Sequence, residues 1–399
     1  MAKQVYRYLI IGGGLAGASA VKGIRELDSA GSILIIGAEK HLPYDRPPLS
    51  KQLWSGKKKL EEIFIHGSEY YSRNGVELKL GVKITAVNPK EKTVTSDSGL
   101  EFGYDRLLIA TGGTPRRLQI PGGDLDGVCY FRYLDDYLRI RGEAAEGKSA
   151  VIIGGGFIGS ELAAALNMNN IDVTMVFPGK HIADRVFPEY LGRAIQKKYA
   201  ERGVAVLGND RPASITRDGK KFITVTAGGR RLESDIVIAG IGMEPSIALA
   251  DRAGLVTANG ITVDGRLRTS DPFIYAAGDN ALFPYKALGK MTRVEHWDNA
   301  VSQGRQAGRN MAGANEEYAH MPYFFSDLFD FGYEAVGEIS SGLETFADWR
   351  KEFETGVVYY LKDGVAVGVM MCNVWEKVAE AGELIRSGAK AANLLGAIR

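Results

Sequence analysis

The amino-acid sequence predicts an α/β fold that contains two β-α-β units and ends in a smaller α+β domain. Two glycine-rich turns carry this prediction: residues 9–17 read Leu-Ile-Ile-Gly-Gly-Gly-Leu-Ala-Gly, and residues 151–159 repeat them as Val-Ile-Ile-Gly-Gly-Gly-Phe-Ile-Gly. Each turn follows apolar residues typical of a buried parallel strand and leads into a segment with helical periodicity. The G-x-G-x-x-G spacing lets a pyrophosphate approach the backbone at a helix N-terminus. The repeat therefore predicts two Rossmann-like dinucleotide-binding domains.

Two acids support the dinucleotide interpretation. Glu39 lies 22 residues after Gly17, at the end of a predicted strand (32–36), where an acid that binds the adenosine ribose is expected. Asp279 follows the apolar strand 274–277, and ligands of open α/β sheets bind at such strand ends. The alternative for Asp279 is an acid that caps the next helix.

Composition limits the function classes. A chain of 399 residues suggests two or three domains, and 45% apolar residues are enough for a sizeable core. A net charge of +1 gives no electrostatic reason to expect a nucleic acid or an anionic membrane as partner. Apolar runs are too short to span a bilayer, and the first strand begins too early to leave room for a secretory signal. We therefore expect a cytoplasmic protein with no membrane span.

The pattern of the first unit includes a rigid segment and a β-meander. Residues 6–37 form the first β-α-β unit, and alternation over 76–105 predicts a meander inserted into it. A buried strand at 107–113 returns to the first sheet. Three prolines exclude a helix through residues 43–51. The basic residues of that segment either face a bound cofactor or lie in a solvated loop.

A second unit and a C-terminal piece follow. In the second unit we expect strands at 149–153, 172–177, 204–207 and 236–240, helices at 156–169 and 188–202, and a meander in between. In the last piece, strands 356–361 and 365–371 are joined by a Lys-Asp-Gly hairpin turn, and a helix at 376–387 follows. Most of the aromatic residues there, including Tyr323, Phe324 and Phe325, are expected in the core.

Five motifs resemble those of FAD-dependent reductases that have two dinucleotide folds in a glutathione-reductase-like architecture. Within that group they are similar to the apoptosis-inducing-factor family, which overlaps the ferredoxin and rubredoxin reductases of bacterial oxygenases. The motifs are Arg46-Pro47-Pro48-Leu49-Ser50-Lys51, Ile109-Ala110-Thr111-Gly112-Gly113-Thr114-Pro115-Arg116, Gly154-Gly155-Gly156-Phe157-Ile158-Gly159-Ser160-Glu161-Leu162, Val294-Glu295-His296-Trp297-Asp298-Asn299-Ala300 and Gly332-Tyr333-Glu334-Ala335-Val336-Gly337.

The resemblance implies a domain order and an FAD site. Residues 1–114 and 241–320 would form the FAD domain, 115–240 an NAD(P) domain and 321–399 a C-terminal α+β domain. Glu39 would bind the adenosine ribose and Asp279 the ribityl hydroxyls, while Phe325 would lie near the isoalloxazine face. The full implied FAD set is Gly12, Gly14, Leu15, Ala16, Gly17, Glu39, Arg46, Lys51, Ala110, Thr111, Gly112, Gly278, Asp279, Glu295, His296, Trp297 and Phe325.

The resemblance also implies a coenzyme site and two catalytic residues. Lys51 and Glu161 would form an ion pair near flavin N5, and Phe157 would lie beside the nicotinamide. From its position alone, Glu161 either complements the helix dipole or faces the nicotinamide. The implied NAD(P)H set is Gly154, Gly156, Phe157, Ile158, Gly159, Glu161, Phe177, Gly179, Lys180 and Gly242. No metal site is expected.

Two departures from the family pattern stand out. The family often has tryptophan where Phe325 stands. The second acid is also missing, because the strand that should end in it reads Phe177-Pro178-Gly179-Lys180. A carboxylate at that strand end accepts hydrogen bonds from the ribose of NADH and repels a 2′-phosphate. The sequence therefore predicts loose coenzyme choice, with measurable use of NADPH, and predicts that Gly179→Glu restores preference for NADH.

The resemblance implies an oxidoreductase that passes a hydride from NAD(P)H to FAD and then electrons to a ferredoxin or rubredoxin. The alternative is a slow NADH oxidase, similar to apoptosis-inducing factor, with a redox-dependent association role. A disulfide reductase would need a redox-active cysteine, and neither Cys129 nor Cys372 has a neighbour at redox-motif spacing. The basic residues Lys286, Lys290 and Arg293 either attract an acidic ferredoxin or form a solvated loop. A monomer and a homodimer are both compatible with the sequence.

Overall fold

The computed structural model describes residues 4–399 and divides the chain into two compact units. The first unit contains the described residues up to Asp45 together with Leu60–Thr114 and Glu244–Pro322. The second unit contains Arg46–Lys59, Pro115–Met243 and Tyr323–Arg399. The proline-rich segment and the C-terminal piece thus belong to the same unit as residues 115–243. The assignment of an FAD, an NAD(P) and a C-terminal domain stays a prediction.

The described residues form twenty-six strands and eight α-helices. The strands are β1 (Gln4–Ile11), β2 (Ile33–Gly37), β3 (Val76–Leu80), β4 (Ile84–Asn88), β5 (Thr93–Ser96), β6 (Glu101–Ile109), β7 (Gly113–Pro115), β8 (Val128–Tyr130), β9 (Ser149–Ile153), β10 (Asp172–Val176), β11 (Ala205–Leu207), β12 (Pro212–Asp218), β13 (Lys221–Thr226), β14 (Arg231–Ser234), β15 (Ile236–Ala239), β16 (Met243–Pro245), β17 (Thr257–Ala258), β18 (Gly260–Thr262), β19 (Ile274–Ala276), β20 (Ala281–Tyr285), β21 (Lys290–Thr292), β22 (Tyr323–Leu328), β23 (Phe331–Gly337), β24 (Glu344–Lys351), β25 (Thr355–Lys362) and β26 (Val365–Cys372). The helices are α1 (Leu15–Arg25), α2 (Ser68–Arg73), α3 (Leu134–Glu143), α4 (Phe157–Asn167), α5 (Glu189–Glu201), α6 (Ala248–Arg252), α7 (Trp297–Met311) and α8 (Val378–Arg386).

The first unit is built on a sheet with strand order β3-β2-β1-β6-β5-β4, with β19 added beside β6. β1 runs parallel to β2 and β6, with Ile11 opposite Ile36 and Ile109. The apolar runs of these strands are buried because the sheet is covered on both faces. The carboxyl ends of β1, β6 and β19 therefore lie side by side at one edge, where the first glycine turn begins.

Helices α1 and α7 of the first unit pack with their backbones in close contact. A Cβ at Gly304 would collide with the carbonyl of Ala16, and one at Gly308 with the carbonyl of Ala20. Only glycine permits this approach. The sequence analysis assigned no helix to α7, because its residues are mostly polar.

The second unit contains a five-stranded parallel sheet with order β11-β10-β9-β15-β8. The antiparallel sheet β12-β13-β14 packs on it through a core that includes Val151, Ile215, Phe222 and Val237. β9, α4 and β10 form the predicted second β-α-β unit, and their bounds lie within two residues of the predicted ones. The α/β fold with two glycine-turn units is thus confirmed.

A third sheet of the second unit is antiparallel, with order β22-β23-β26-β25-β24, and α8 packs on it. The predicted hairpin is present between β25 and β26, whereas β22 to β24 were not predicted. The expected core position of the aromatic cluster at β22 was wrong, because Tyr323, Phe324 and Phe325 are each only half-buried.

The predicted meander at 76–105 was only partly right. β3 joins the parallel edge of the first sheet, where Leu78 lies opposite Ile35 of β2. Only β4, β5 and β6 run antiparallel to one another. The alternating pattern of β3 also suits an edge strand of a parallel sheet, so the pattern alone did not distinguish the two pairings.

Candidate functional site

The first glycine turn has the geometry of a pyrophosphate cradle. Gly12 has a φ of 125°, and a Cβ there would collide with the carbonyl of Ala110 at the end of β6. A Cβ at Gly17 would collide with the carbonyl of Gly12. Gly14 faces open space, and a substitution there would narrow that space. The sequence therefore needs glycine at these positions to keep the strand end, the turn and α1 in contact.

Helix α1 begins without a side-chain cap. Gly14 is its N-cap residue, no side chain binds the first amides, and the first turn carries no acid. Those amides and the positive end of the helix dipole are consequently available to an anion. Leu15 and Ala16 are the first residues of the helix, and their contact with FAD stays a prediction.

A network of polar side chains joins the carboxyl ends of β6 and β19. Thr111 donates to the carbonyl of Ser246 over 2.8 Å and accepts from the Asn280 amide over 2.9 Å. Gln303 of α7 accepts from the Gly278 N–H over 2.9 Å. Among the described residues, Asn280 Oδ1 and Gln303 Nε2 are buried without a hydrogen-bond partner. Thr111 and Asp279 were predicted from the sequence, but Asn280 and Gln303 were not. Asn280 follows the Gly278-Asp279 pair directly, whereas Gln303 carries no local signal.

The predicted ribose acid and the residues before α7 make contacts within the first unit. Glu39 follows β2 and accepts a hydrogen bond from Tyr44. The Trp297 indole donates to Asp45 over 2.7 Å. Both contacts order the stretch just before the proline-rich segment.

His296 is neutral at physiological pH. Desolvation lowers its pKa to about 4, although Asp279 and Asp298 act in the opposite direction.

Beside His296, Glu295 pairs with Arg293 at 2.6 Å. Lys286 also pairs with Glu317, so Lys286 and Arg293 are each already paired with an acid.

The second glycine turn repeats the first one. Gly154 has a φ of 124°, and a Cβ there would collide with the carbonyl of Gly240. A Cβ at Gly159 would likewise collide with the carbonyl of Gly154. Gly156 is the N-cap residue of α4, and no side chain forms a hydrogen bond with the cap. Phe157 and Ile158 open the helix at its accessible end. Gly242, with a φ of 96°, accepts the Arg116 N–H and directs the chain away from this edge.

The end of β10 differs from the expected arrangement. Phe177 is buried, and its ring lies against Gly155 so closely that a Cβ there would be 2.6 Å from Phe177 Cγ. Gly179 is half-buried and Lys180 is exposed. Phe177 is therefore part of the packing of the turn, and its side chain does not point outward.

A buried ion pair joins Glu161 of helix α4 to Lys51 of the proline-rich segment. The Lys51 ammonium is 3.1 Å from Glu161 Oε1, and the two side chains are only 6% and 7% exposed. Lys51 also donates to the Phe325 carbonyl over 3.2 Å and lies 4.4 Å from the centre of the Phe325 ring. The structure thus brings together three residues that the sequence placed at one redox site.

Two serines complete the bonding of Glu161. Ser50 donates to Glu161 Oε2 and Ser326 to Glu161 Oε1, each over 2.6 Å. Burial and the nearby Glu161 carboxylate raise the pKa of Tyr199 and Tyr333 well above the usual range. A buried charge is tolerated only when it is paired and hydrogen-bonded, as here. The sequence analysis quoted Ser50 within a motif but gave neither serine a role.

Other predicted residues have partners close by in the second unit. Arg46 donates to the Arg132 carbonyl over 2.9 Å and lies 5.3 Å from the ring centre of Tyr133. Phe157 meets Phe324 edge to face at 5.3 Å. These contacts hold Arg46 against residues 132 and 133 of the same unit.

Neither cysteine has the setting of a redox thiol. Cys129 and Cys372 are both buried and not bonded to each other. Burial raises the pKa of Cys129 to about 11 and that of Cys372 further still. In residues 4–399 no group of His, Cys, Asp or Glu side chains is arranged to hold a metal ion.

The comparisons with known proteins agree with this geometry. Residues 6–304 match the model of the pyridine nucleotide-disulphide oxidoreductase family. The chain belongs to this family. A second model, for the C-terminal part of mitochondrion-associated apoptosis-inducing factor, matches residues 307–352. The chain is therefore an FAD-dependent NAD(P)H oxidoreductase.

Relatives of this pyridine nucleotide-disulphide oxidoreductase cover nearly its whole length. It is 32% identical to the ferredoxin–NAD(+) reductase component of the anthranilate 1,2-dioxygenase system of Burkholderia cepacia, over 96% of this chain and 94% of that one. It is 34% identical to monodehydroascorbate reductase 2 of Arabidopsis thaliana, over 92% and 91%. Putidaredoxin reductase, in its covalent complex with putidaredoxin, has a TM-score of 0.90 at 30% identity, over 97% and 94%.

The residues of the first unit fit FAD. The space in front of Gly14 is open, because no atom beyond its neighbours in the chain lies within 4 Å of a Cβ built there, and the amides of α1 have no side-chain cap. The orphaned Asn280 and Gln303 atoms offer an acceptor and a donor. In the second unit the repeated cradle fits the pyrophosphate of the coenzyme. None of the helices in residues 4–399 combines the length and apolar character that a membrane span requires.

Proposed function

We propose that the protein passes electrons from NADH through FAD to a small iron–sulfur protein of the ferredoxin or rubredoxin type. The observation that carries the proposal is the buried pair between Lys51 and Glu161, of which Glu161 lies on the helix that begins at the second glycine turn. A fixed charge of this kind acts by electrostatic preorganisation, since it needs no reorganisation when the hydride moves.

We assign the remaining residues by the same reasoning. The first glycine turn, Glu39 and Asp279 hold FAD, with Thr111, Asn280 and Gln303 as supporting polar groups. Bound FAD supplies hydride acceptance and one-electron release, chemistry that protein side chains lack. Residues 154–159 hold the coenzyme pyrophosphate, and Phe157 orients the nicotinamide. Lys51 supplies positive charge for the hydride transfer, while Glu161, held by Ser50 and Ser326, fixes the direction of that ammonium.

The nature of the acceptor rests on two kinds of support. The Burkholderia relative and putidaredoxin reductase are named for iron–sulfur partners. In addition, both cysteines of this chain are buried with raised pKa values, which disfavours a disulfide substrate that would need a thiolate at the flavin. We further propose that the protein is cytoplasmic, because two buried reduced thiols suit a reducing compartment. We expect it to be a monomer or a homodimer.

A second candidate acceptor is the monodehydroascorbate radical. It is favoured by the identity of 34% to the Arabidopsis monodehydroascorbate reductase, over 92% of this chain. This acceptor also takes one electron at a time, so the same flavin chemistry serves both candidates.

One experiment separates the candidates. The purified holoprotein is first reduced with NADH without oxygen, and loss of the flavin absorbance is followed. Turnover is then measured with a [2Fe–2S] ferredoxin, a rubredoxin, the monodehydroascorbate radical and oxygen as acceptors. We expect the highest kcat/KM with one of the two iron–sulfur proteins. A higher value for the radical would support the second candidate, and turnover no faster than with oxygen would contradict both.

A further inference from the structure

The position from which Phe177 was expected to read the coenzyme ribose is closed. Its ring packs against Gly155, and Ala183 donates its N–H to the Gly155 carbonyl over 2.7 Å from the other side of the loop. A phenyl ring also carries no oxygen or nitrogen that could accept a hydrogen bond from the ribose hydroxyls. The acid that the sequence lacks at the end of β10 must therefore be sought elsewhere in the fold.

A carboxylate occupies the space beside Gly179. A Cβ built on Gly179 would lie 2.8 Å from Oδ1 of Asp184 and still closer to Oδ2. A side chain at position 179 would thus begin where the Asp184 carboxylate already lies. Asp184 supplies, from five residues further along the chain, the charge that Gly179 cannot.

The loop that carries Asp184 is firmly held. Ala183 adopts a left-handed φ of 53°, which is uncommon for a residue with a Cβ. Its carbonyl accepts the N–H groups of Val186 and Phe187, each over 2.8 Å, and Phe187 is fully buried. On the opposite side, Asn209 donates its N–H to the Gly179 carbonyl over 2.8 Å. These bonds hold the backbone of the loop, from which the Asp184 carboxylate lies beside Gly179.

Asp184 also lacks a partner of its own. It is half-buried, and among residues 4–399 it makes no hydrogen bond or ion pair. Asp210, in the neighbouring loop, differs in this respect, because it accepts the N–H groups of Arg211 and Gly228. A fixed, partly desolvated carboxylate with open acceptor positions matches a ligand that offers two adjacent hydroxyls.

We propose that Asp184 is the residue that selects NADH, by accepting hydrogen bonds from the adenosine ribose hydroxyls and repelling a 2′-phosphate. This inference rests on the proposed coenzyme site in the second unit. It reverses the prediction of loose coenzyme choice, and it also reverses the expected effect of Gly179→Glu, whose side chain would collide with Asp184.

Positive charges near the loop favour the opposite outcome. Lys180 and Arg185 are exposed, and Arg211 and Arg230 line a surface pocket of about 490 Å³ together with Pro178 and Asn209. If these cations bind a 2′-phosphate, the protein will prefer NADPH. The geometry points to NADH because the half-buried Asp184 carboxylate lies against Gly179, on a loop whose backbone is bonded to Gly155, whereas Lys180 and Arg185 are exposed.

The test measures binding of two coenzyme fragments that need no acceptor protein. ADP-ribose and 2′-phospho-ADP-ribose are titrated calorimetrically into the oxidised holoprotein and into Asp184→Asn, which keeps the shape of the side chain. We expect the parent to bind ADP-ribose at least about tenfold more tightly, the value of one charge-assisted hydrogen bond. In Asp184→Asn, the affinity for ADP-ribose should fall by about ten- to a hundredfold, whereas the affinity for 2′-phospho-ADP-ribose should not fall.

The control is Glu189→Gln, an exposed acid in the first turn of α5 that is already paired with Arg193. It should leave both affinities unchanged. A preference ratio in Asp184→Asn within twofold of the parent ratio, or a parent that binds 2′-phospho-ADP-ribose more tightly, would overturn the proposal. Anaerobic reduction of FAD by NADH and by NADPH tests the proposed function separately, because it reports hydride transfer whichever residue reads the ribose.

Discussion

At the scale of single residues, the site depends on charges that are buried together. Lys51 and Glu161 are nearly inaccessible, and Ser50, Ser326 and the Phe325 carbonyl use their remaining bonding capacity. Removal of one member would leave the others desolvated without compensation, which costs more than the pair contributes. The pair is therefore a device for fixed charge and not a source of stability.

Replacing Lys51 tests that role. Lys51→Met keeps most of the length of the side chain but removes the charge. We expect the rate of FAD reduction by saturating NADH to fall by about ten- to a thousandfold, the usual effect of losing one preorganised charge. The rate is measured by stopped-flow absorbance without oxygen.

The matched control is Lys57→Met, in an exposed turn of the same segment. In this variant NADH should reduce FAD at the parental rate. FAD content is measured in both variants, because loss of the flavin would imitate loss of catalysis. A Lys51→Met enzyme that keeps its FAD and its full reduction rate would remove Lys51 from the mechanism.

His296 provides a prediction on pH dependence. Its pKa is about 4 in the folded protein and about 6.5 in an unfolded chain, so the unfolded state binds more protons between these values. Stability should therefore fall as the pH decreases from about 6.5 to 4, by about 2–3 kcal/mol from this group. Above pH 7 the contribution of His296 should be constant.

The measurement compares the parent with His296→Gln by urea unfolding at pH 7.5, 6 and 5. The variant cannot take up the proton, so its free energy of unfolding should decline less over this range. Equal declines in the two proteins would show that other groups cause the acid sensitivity.

At the scale of elements, the helix pair α1 and α7 depends on glycine. Gly304→Ala would drive a Cβ into the carbonyl of Ala16, so we expect a loss of about 1–3 kcal/mol or more and weaker FAD retention. Gly142→Ala is the opposite case: Gly142 lies in α3 with open space around it, and alanine should stabilise that helix by about 0.5–1 kcal/mol. Thermal unfolding of both variants checks the difference in sign. Two shifts of the same sign would contradict the assignment.

The elements also show how far the sequence could lead. β1 and β9 each end in a buried apolar run, β15 is apolar throughout, and the glycines after β1 and β9 mark the turns, so these units were predicted to within about two residues. β22 and β24 consist mostly of half-buried residues and show no clear apolar face. Their pairing is decided by contacts with distant strands, which a local pattern does not contain.

Site residues could be predicted where a sequence motif marks them. They could not be predicted where residues far apart in the sequence come together only in the folded chain. Lys51 and Glu161 were paired by resemblance, and the structure places them 3.1 Å apart. Ser326 reaches Glu161 across 165 positions of sequence. Asp184 was not predicted because the acid was expected at the end of β10. The loop after that strand folds back, so that a later residue lies where the acid was expected.

At the scale of the whole molecule, one chain carries two cradles of nearly the same geometry. Gly12 and Gly154 have φ values of 125° and 124°, and both helices that follow begin at an uncapped glycine. What distinguishes them is the acid nearby, because Glu39 follows β2 directly while Asp184 reaches the second turn from a loop. We therefore expect each cradle to take one ligand.

Amide hydrogen exchange can test, in the intact chain, whether each cradle binds its own ligand. Adding FAD to the FAD-free protein should slow exchange at residues 12–17, 110–112 and 278–280, since these backbone amides surround the first cradle. Adding ADP-ribose to the holoprotein should slow exchange at 154–159 and 179–184 and leave 12–17 unchanged. Asp184→Asn should reduce the protection of the second set only. Protection of residues 12–17 by ADP-ribose in the holoprotein would contradict the assignment, because it would place the coenzyme on the cradle that we assign to FAD.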